Sequence, residues 1–188
     1  MPSPSPVFRM TPDEYLDWEK TQEIKHEYAD GEVFAMSGAS DAHVTIALRV
    51  ASKLLVHAGE GPCRTYMADM KVKISPVRLF YYPDVVVTSD DRDRSNDYFK
   101  EHPKLIIEVL SSSTAAFDRG LKFEHYRLLP SLEEYVLIDS ERRGIDCFRR
   151  GADGGWVLHH YGPGEEVRFV SVGLSCSVEE IYQGVSFS

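Results

Sequence analysis

The sequence predicts a mixed α/β domain: a central mixed sheet flanked by helices, with a helix and hairpin before it and a β-meander after it. Three observations carry this. "KLIIEVLS" (104–111) is apolar on both faces, as expected of a strand in the middle of a covered sheet. "SDAHVTIALRVASKLLVHAG" places His43, Ala47, Val50 and Leu54 on one helical stripe, with Ile46 beside it. Beyond residue 134, short apolar runs recur between glycine turns, the spacing of antiparallel strands.

Taken in order, residues 1–9 are rich in Pro and Ser and read as a disordered tail, leaving 10–188 as a single domain. "MTPDEYLDWEKT" begins a helix: Thr11 caps it, Pro12 occupies its first position and acids fill the first turn. "IKHEYADGEVFAMSG" reads as a hairpin, because Asp30-Gly31 suits a two-residue type I′ turn. The long helix follows, capped by Ser40 or Asp41 and ended by Gly59. "CRTYMADMKVKIS" and "LFYYPDVVVTS" each read as one strand. "DDRDRSNDYFKEHP" is polar and charged and reads as a surface loop. After the central strand, "SSTAAFDRGLKFEHYRLLP" is a helix that stops at Pro130, with Ser111–Thr114 as its cap. "EEYVLIDS", "GIDCFRRG", "GGWVLHHYG" and "EEVRFVSV" are strands, and "SVEEIYQGV" is a terminal helix.

The chain has 188 residues, 43% of them hydrophobic and 27% charged, an ordinary balance for a globular protein. Its net charge of −9 argues against a coat-like nucleic-acid binder, but leaves room for an enzyme with a local basic patch. Cys63, Cys147 and Cys176 are odd in number and far apart, which suggests reduced thiols and no zinc site. The N-terminus has no apolar core of a signal peptide, and no run approaches a membrane span. A cytoplasmic protein without a membrane partner is expected.

The chemistry concentrates on two carboxylates. Asp84 follows Pro83, a residue that suits a strand start, and precedes Val85-Val86-Val87. Glu108 alternates with Ile106 and Leu110 and so shares a face with apolar side chains. Two acids at neighbouring strands could enter one cleft, where a divalent cation would remove both their repulsion and their desolvation cost. Hard oxygen ligands suit Mg²⁺ or Mn²⁺. The plainer alternative is that Asp84 caps a turn and Glu108 pairs with an arginine. Lys122 falls on one stripe with Tyr126 and Leu129, an unusual place for a lysine. Either it reaches the carboxylates or it pairs with Asp118 on a solvated face.

With these residues in hand, the chain resembles the Uma-two (Uma2) family of restriction endonuclease-like proteins, within the PD-(D/E)-x-K nuclease superfamily. The resemblance runs from "MTPDEYL" to "EEIYQGV" and is most specific in "EYADGEV", "YYPDVVV" and "LIIEVLSSSTAAFDRGLKFEHYRLLPSLEEYVLID". It implies a restriction endonuclease-like core. It implies that Asp84 is the aspartate of the PD motif and Glu108 the second acid, both metal ligands, with the Val109 carbonyl a third. The superfamily's lysine would fall at Leu110; in this family the lysine on the next helix, Lys122, stands in for it. Glu27 matches an early acid of the superfamily, with a solvated hairpin charge as its alternative. His43 matches a family histidine, and on its own reads as a residue packed on the core face. Ser112 stands where members often carry proline.

The resemblance implies a Mg²⁺-dependent (or Mn²⁺-dependent) endonuclease acting on nucleic acid, DNA above all. Asp84, Glu108, Lys122 and Glu27 would be catalytic, and a homodimer would serve two strands. Arg119, Arg127, Arg142, Arg143, Arg149 and Arg150 are candidate phosphate contacts or general surface charge. The alternative function is a nuclease-fold binding module, for nucleic acid or protein, without turnover.

Overall fold

A computed structural model describes residues 9–187. The expected tail at 1–9 lies outside these, apart from Arg9. Helix α1 (Pro12–Glu19) opens with the Thr11 cap, and Thr11 and Glu14 close a reciprocal capping box. Strands β1 (His26–Ala29) and β2 (Glu32–Ala35) form the expected hairpin. Asp30 and Gly31 have φ of 45° and 101°, the left-handed pair that a type I′ turn requires. Helix α2 (Asp41–Ala58) buries Ile46, Ala47, Val50, Ala51 and Leu54, and Ser40 accepts the His43 N–H at its start.

The next two runs are not single strands. The first divides into β3 (Arg64–Met67) and β4 (Lys71–Ile74) around Ala68, whose φ is 50°. The second divides into β5 (Leu79–Tyr81) and β6 (Val85–Thr88) around Pro83, which lacks the N–H that a continuous ladder needs. In both cases the two halves enter different sheets. The expected loop at 90–103 holds a 3-10 turn (Asp91–Ser95) and a short strand, β7 (Phe99–Lys100). It is tied down by Asp93, which accepts the Thr88 hydroxyl and the N–H groups of Glu101 and His102.

Strand β8 (Leu105–Leu110) is buried throughout. Its side chains each contribute about 1.5–3 kcal/mol on leaving water, apart from Glu108. The helix after it runs through α3 (Ala115–Phe117), a π-helical stretch (Asp118–Lys122) and α4 (Phe123–Tyr126). Its start carries no side-chain cap on Thr114, contrary to expectation. Strands β9 (Glu134–Asp139), β10 (Ile145–Arg150) and β11 (Trp156–Tyr161) follow. The chain then forms β12 (Glu166–Phe169), an unexpected β13 (Leu174–Ser177) and the short helix α5 (Val178–Ile181).

The strands form a six-stranded sheet ordered β11-β10-β9-β8-β6-β3, a five-stranded sheet ordered β2-β1-β5-β4-β7, and the β12-β13 hairpin. In the large sheet β8 and β9 are parallel and the other neighbours antiparallel, so the sheet is mixed as expected. One face, with Val85, Val87, Ile107 and Val109, packs on α2, α5 and the last hairpin. The other, with Val86, Ile106, Leu110 and Leu137, packs on Tyr126 and Leu129 and on Val72 and Tyr81 of the five-stranded sheet. Helix α1 covers the far side of that second sheet through Tyr15, Tyr28 and Phe80.

Two of the candidate phosphate contacts are structural. Arg149 Nε donates to the buried Glu134 at 2.9 Å, and its Nη2 donates to the Tyr161 hydroxyl and the Arg168 carbonyl. Arg150 donates to the carbonyls of Leu132, Arg127 and Leu129 at 2.8–3.0 Å and lies over Trp156. Arg127 caps the end of the helix that carries Lys122, and Leu129 and Leu132 lie in the turn that follows, so these bonds tie down the segment where helical donors run out. Arg150→Ala is expected to lower stability by about 2 kcal/mol. Urea unfolding checks this; an unchanged midpoint would remove Arg150 from the support of that helix.

Candidate active site

Asp84 occupies the break between β5 and β6, where Pro83 ends one ladder before the other begins. Its carboxylate is held from two sides: Oδ2 accepts the Val109 N–H at 2.7 Å and Oδ1 lies 2.8 Å from His43 Nε2. Helix α2 thus supplies a positioning contact from its first turn. The sequence left His43 as a core-face residue, and spacing could not reveal this contact across 41 positions. Val109 was expected to offer its carbonyl; the contact seen is through its N–H.

Glu108 points to the face shared with Tyr126. Its Oε1 accepts the Tyr126 hydroxyl at 3.1 Å and lies 3.0 Å from Lys122 Nζ. Lys122 is itself buried, 3.2 Å from Glu27 Oε1 and 3.6 Å from Asp118 Oδ1. The three donors of one ammonium therefore face three carboxylates. Glu27 Oε1 also accepts the Tyr82 N–H at 3.2 Å, which fixes the hairpin acid beside the Asp84 segment. Tyr81 lies under Lys122, with Nζ 5.4 Å from its ring centre. The Asp118–Lys122 pair exists, but in the interior and not on a solvated face.

The π-helical stretch contains both Asp118 and Lys122. Such widened turns recur at functional sites because they re-aim side chains within a helix. Burial pushes the Glu108 carboxyl well up, opposed by Lys122 and reinforced by Asp118, Asp84 and Glu27. Burial also raises Asp118. Burial opposes the Lys122 charge, but Glu108, Glu27 and Asp118 outweigh it and hold its ammonium well above the ordinary range.

Three carboxylates, of Glu108, Glu27 and Asp118, thus surround one lysine, and Asp84 with His43 adjoins them through the N–H of Val109, the residue after Glu108. Asp84, Glu108, Lys122 and Glu27, read from the sequence as one site, come together. Asp118, Tyr126 and His43 join them. Among the described residues no three histidine, cysteine, aspartate or glutamate side chains form a ready-made metal cage. A hexahydrate-forming ion does not need one: Mg²⁺ keeps several waters and binds through one or two carboxylates plus substrate. The excess of acid over base, with a partly exposed Asp84 carboxylate beside the Glu108 strand, fits such an ion.

The sequence pattern of the Uma2 family, described as "Putative restriction endonuclease", matches residues 12–179. This chain belongs to the Uma2 family. A Synechocystis protein, slr1290, is 40% identical over 186 residues, covering 98% of either chain. A second Synechocystis protein, sll1609, is 31% identical over 163 residues, covering 85% of this chain and 92% of its own length. Among solved structures, a "putative nuclease belonging to DUF820" from Anabaena variabilis superposes with a TM-score of 0.78 at 17% identity. It covers 94% of this chain and 99% of its own. The Uma2 chain therefore has a nuclease-type fold. No helix among its described residues is long and apolar enough to cross a membrane.

Proposed function

We propose that this Uma2 protein is a divalent-metal-dependent endonuclease that hydrolyses phosphodiester bonds in nucleic acid, with DNA as the substrate. The single observation that supports the reading is the cluster of acids on one lysine, Glu108, Glu27 and Asp118 on Lys122, with Asp84 from a separate segment bonded to the Val109 N–H next to Glu108. Family and fold support the nuclease class.

Asp84 and Glu108 would hold Mg²⁺ or Mn²⁺, with the Val109 carbonyl beside them. The ion would supply Lewis acidity, acidifying water and offsetting charge on the phosphate. The remaining roles belong to the chain. His43 and the Val109 N–H fix the Asp84 carboxylate before substrate arrives, so no reorganisation is needed at the moment of reaction. The Tyr126 hydroxyl and Lys122 fix Glu108 in the same way. Lys122, 3.0 Å from Glu108, would stabilise charge that develops on the phosphate oxygens. Glu27, held by the Tyr82 N–H, would orient water at the crevice.

The test is cleavage of plasmid and oligonucleotide DNA, with RNA in parallel, in Mg²⁺, Mn²⁺ or EDTA. Cleavage that needs the metal and disappears in Asp84→Asn supports the reading. Binding of strands without cleavage in any metal would assign the chain to the non-cutting module instead. One crevice serves one strand, so we read the working unit on a duplex as a homodimer. A monomer by sedimentation that still makes double-strand breaks in single encounters would contradict that.

A further inference from the structure

Three lysines among the described residues are buried: Lys71, Lys100 and Lys122. Two are fully answered. Lys122 faces three carboxylates, and Lys100 Nζ donates to the carbonyls of Asp93 and Asn96. Lys71 is different. It is 8% exposed, yet no carboxylate among the described residues lies within ion-pair distance and its ammonium donates no hydrogen bond to them. It lies over the face of Tyr82, whose ring centre is 4.9 Å from Nζ. The ammonium keeps only a narrow opening to water and has no anion beside it, and a cation–π contact of about 1–2 kcal/mol offsets only part of the cost of burying the rest.

Two further lysines stand near it. Lys25 Nζ approaches the same Tyr82 ring at 6.0 Å and is half exposed, bonded outward to Asp69. Burial lowers the Lys71 ammonium; Glu19 opposes this, and Lys20 and Lys25 lower it further. The oxygens of Glu19 are already engaged, by the His26 N–H and ring and by the Tyr82 hydroxyl. Lys20 and Lys25 are each paired with an exposed acid, Asp17 and Asp69, which leaves the Lys71 ammonium as the charge of the three without an ion pair among the described residues.

Its place in the fold is specific. Tyr82 lies two residues before Asp84, and its N–H holds Glu27. The turn leading into Lys71 touches the same segment, through the Ala68 N–H on the Asp84 carbonyl at 3.0 Å. Val72 pairs with Tyr81, so Lys71 and Tyr82 project from one face of their sheet and Tyr81, with Lys122 above it, from the other. The lysine and the catalytic acids are thus on two sides of one chain segment.

We propose that Lys71, with Lys25 and the ring of Tyr82, forms a subsite for a backbone phosphate that flanks the one to be cut, the strand passing round the end of the sheet where β4 begins, β5 ends and Asp84 follows. This deepens the nuclease reading and rests on it. The subsite binds a phosphodiester oxyanion through charge, and Tyr82 orients the lysines; it carries no base preference. Removing a lysine contact of this kind weakens binding evenly across sequences and flattens its salt dependence.

The experiment measures binding of a fluorescent single-stranded oligonucleotide by anisotropy across a salt series. It is run with Mn²⁺ and again in EDTA, for wild type, Lys71→Met and Lys25→Gln. Lys71→Met keeps the apolar stem, and thermal melting verifies its folding. Should it not fold, Lys25→Gln at the exposed rim decides. The expected result is an affinity loss of about tenfold at low salt and a salt slope smaller by about one for each lysine removed. Inorganic phosphate competing with the oligonucleotide only at high concentration locates the affinity in the strand; equal competition would make this a free-phosphate site and overturn the proposal. Unchanged affinity and slope in the variants, or no binding by wild type, also overturn it. Lysine-dependent binding with no cleavage in any metal would keep the subsite and overturn the nuclease reading. Cleavage with lysine-independent binding would do the reverse.

Discussion

Lys122→Met is expected to lower stability by about 3–5 kcal/mol at neutral pH and to reduce cleavage by about 10²–10³-fold. The first effect follows from what the ammonium neutralises. Glu108, Glu27 and Asp118 all lie within 3.6 Å of Nζ, and removing their common partner leaves buried negative charge unanswered. Lys122 holds down two carboxyls that burial raises, Glu108 and Asp118. Without it they rise further. A carboxyl whose folded value is raised favours the folded state when protonated, so the deficit of the variant shrinks as pH falls and is largest above neutrality. In wild type the raised Lys122 keeps its contribution throughout the neutral range and loses it only as pH climbs above the ordinary lysine value. Melting curves of both proteins from pH 4.5 to 9 check the sign. A constant gap would mean that these acids do not depend on Lys122.

Glu108→Gln separates stability from activity in the opposite sense. The amide keeps the shape and removes a buried charge that burial disfavours. Lys122 retains Glu27 and Asp118. The variant is expected to melt no lower than wild type while cleavage falls by at least about 10²-fold. That pattern marks a group kept for chemistry at some expense of stability. If the variant unfolds readily instead, Glu108 serves the fold as a partner for Lys122 and Tyr126.

Much of this site was legible in the chain. Pro83 before Asp84 announces a strand start, Glu108 interrupts an otherwise apolar strand, and Lys122 falls on the stripe of Tyr126 and Leu129. Each is a local signal. What could not be read is non-local. Glu27 is bound beside Tyr82 from 55 residues away, and His43 meets Asp84 across 41. Periodicity does not report such pairings. Asp118 looked like half of a surface pair because its spacing to Lys122 is the same on a buried face as on a wet one. The fold shows the same division. The caps at Thr11 and Ser40 and the Asp30-Gly31 turn were clear from residue chemistry, whereas the cap expected at Ser111–Thr114 is not made by the Thr114 side chain and two strands that break and change sheets were read as unbroken. Pro83 carried the signal for one break. The other, at Ala68, rests on a backbone conformation that alanine does not advertise.

The account turns on a cation joining Asp84 and Glu108 in one crevice. Calorimetric titration of Mn²⁺ into wild type, Asp84→Asn and Glu108→Gln tests that most directly. Saturable binding by wild type that is lost in both variants is the predicted result. Binding that survives both substitutions, or none by a folded wild type, would contradict it.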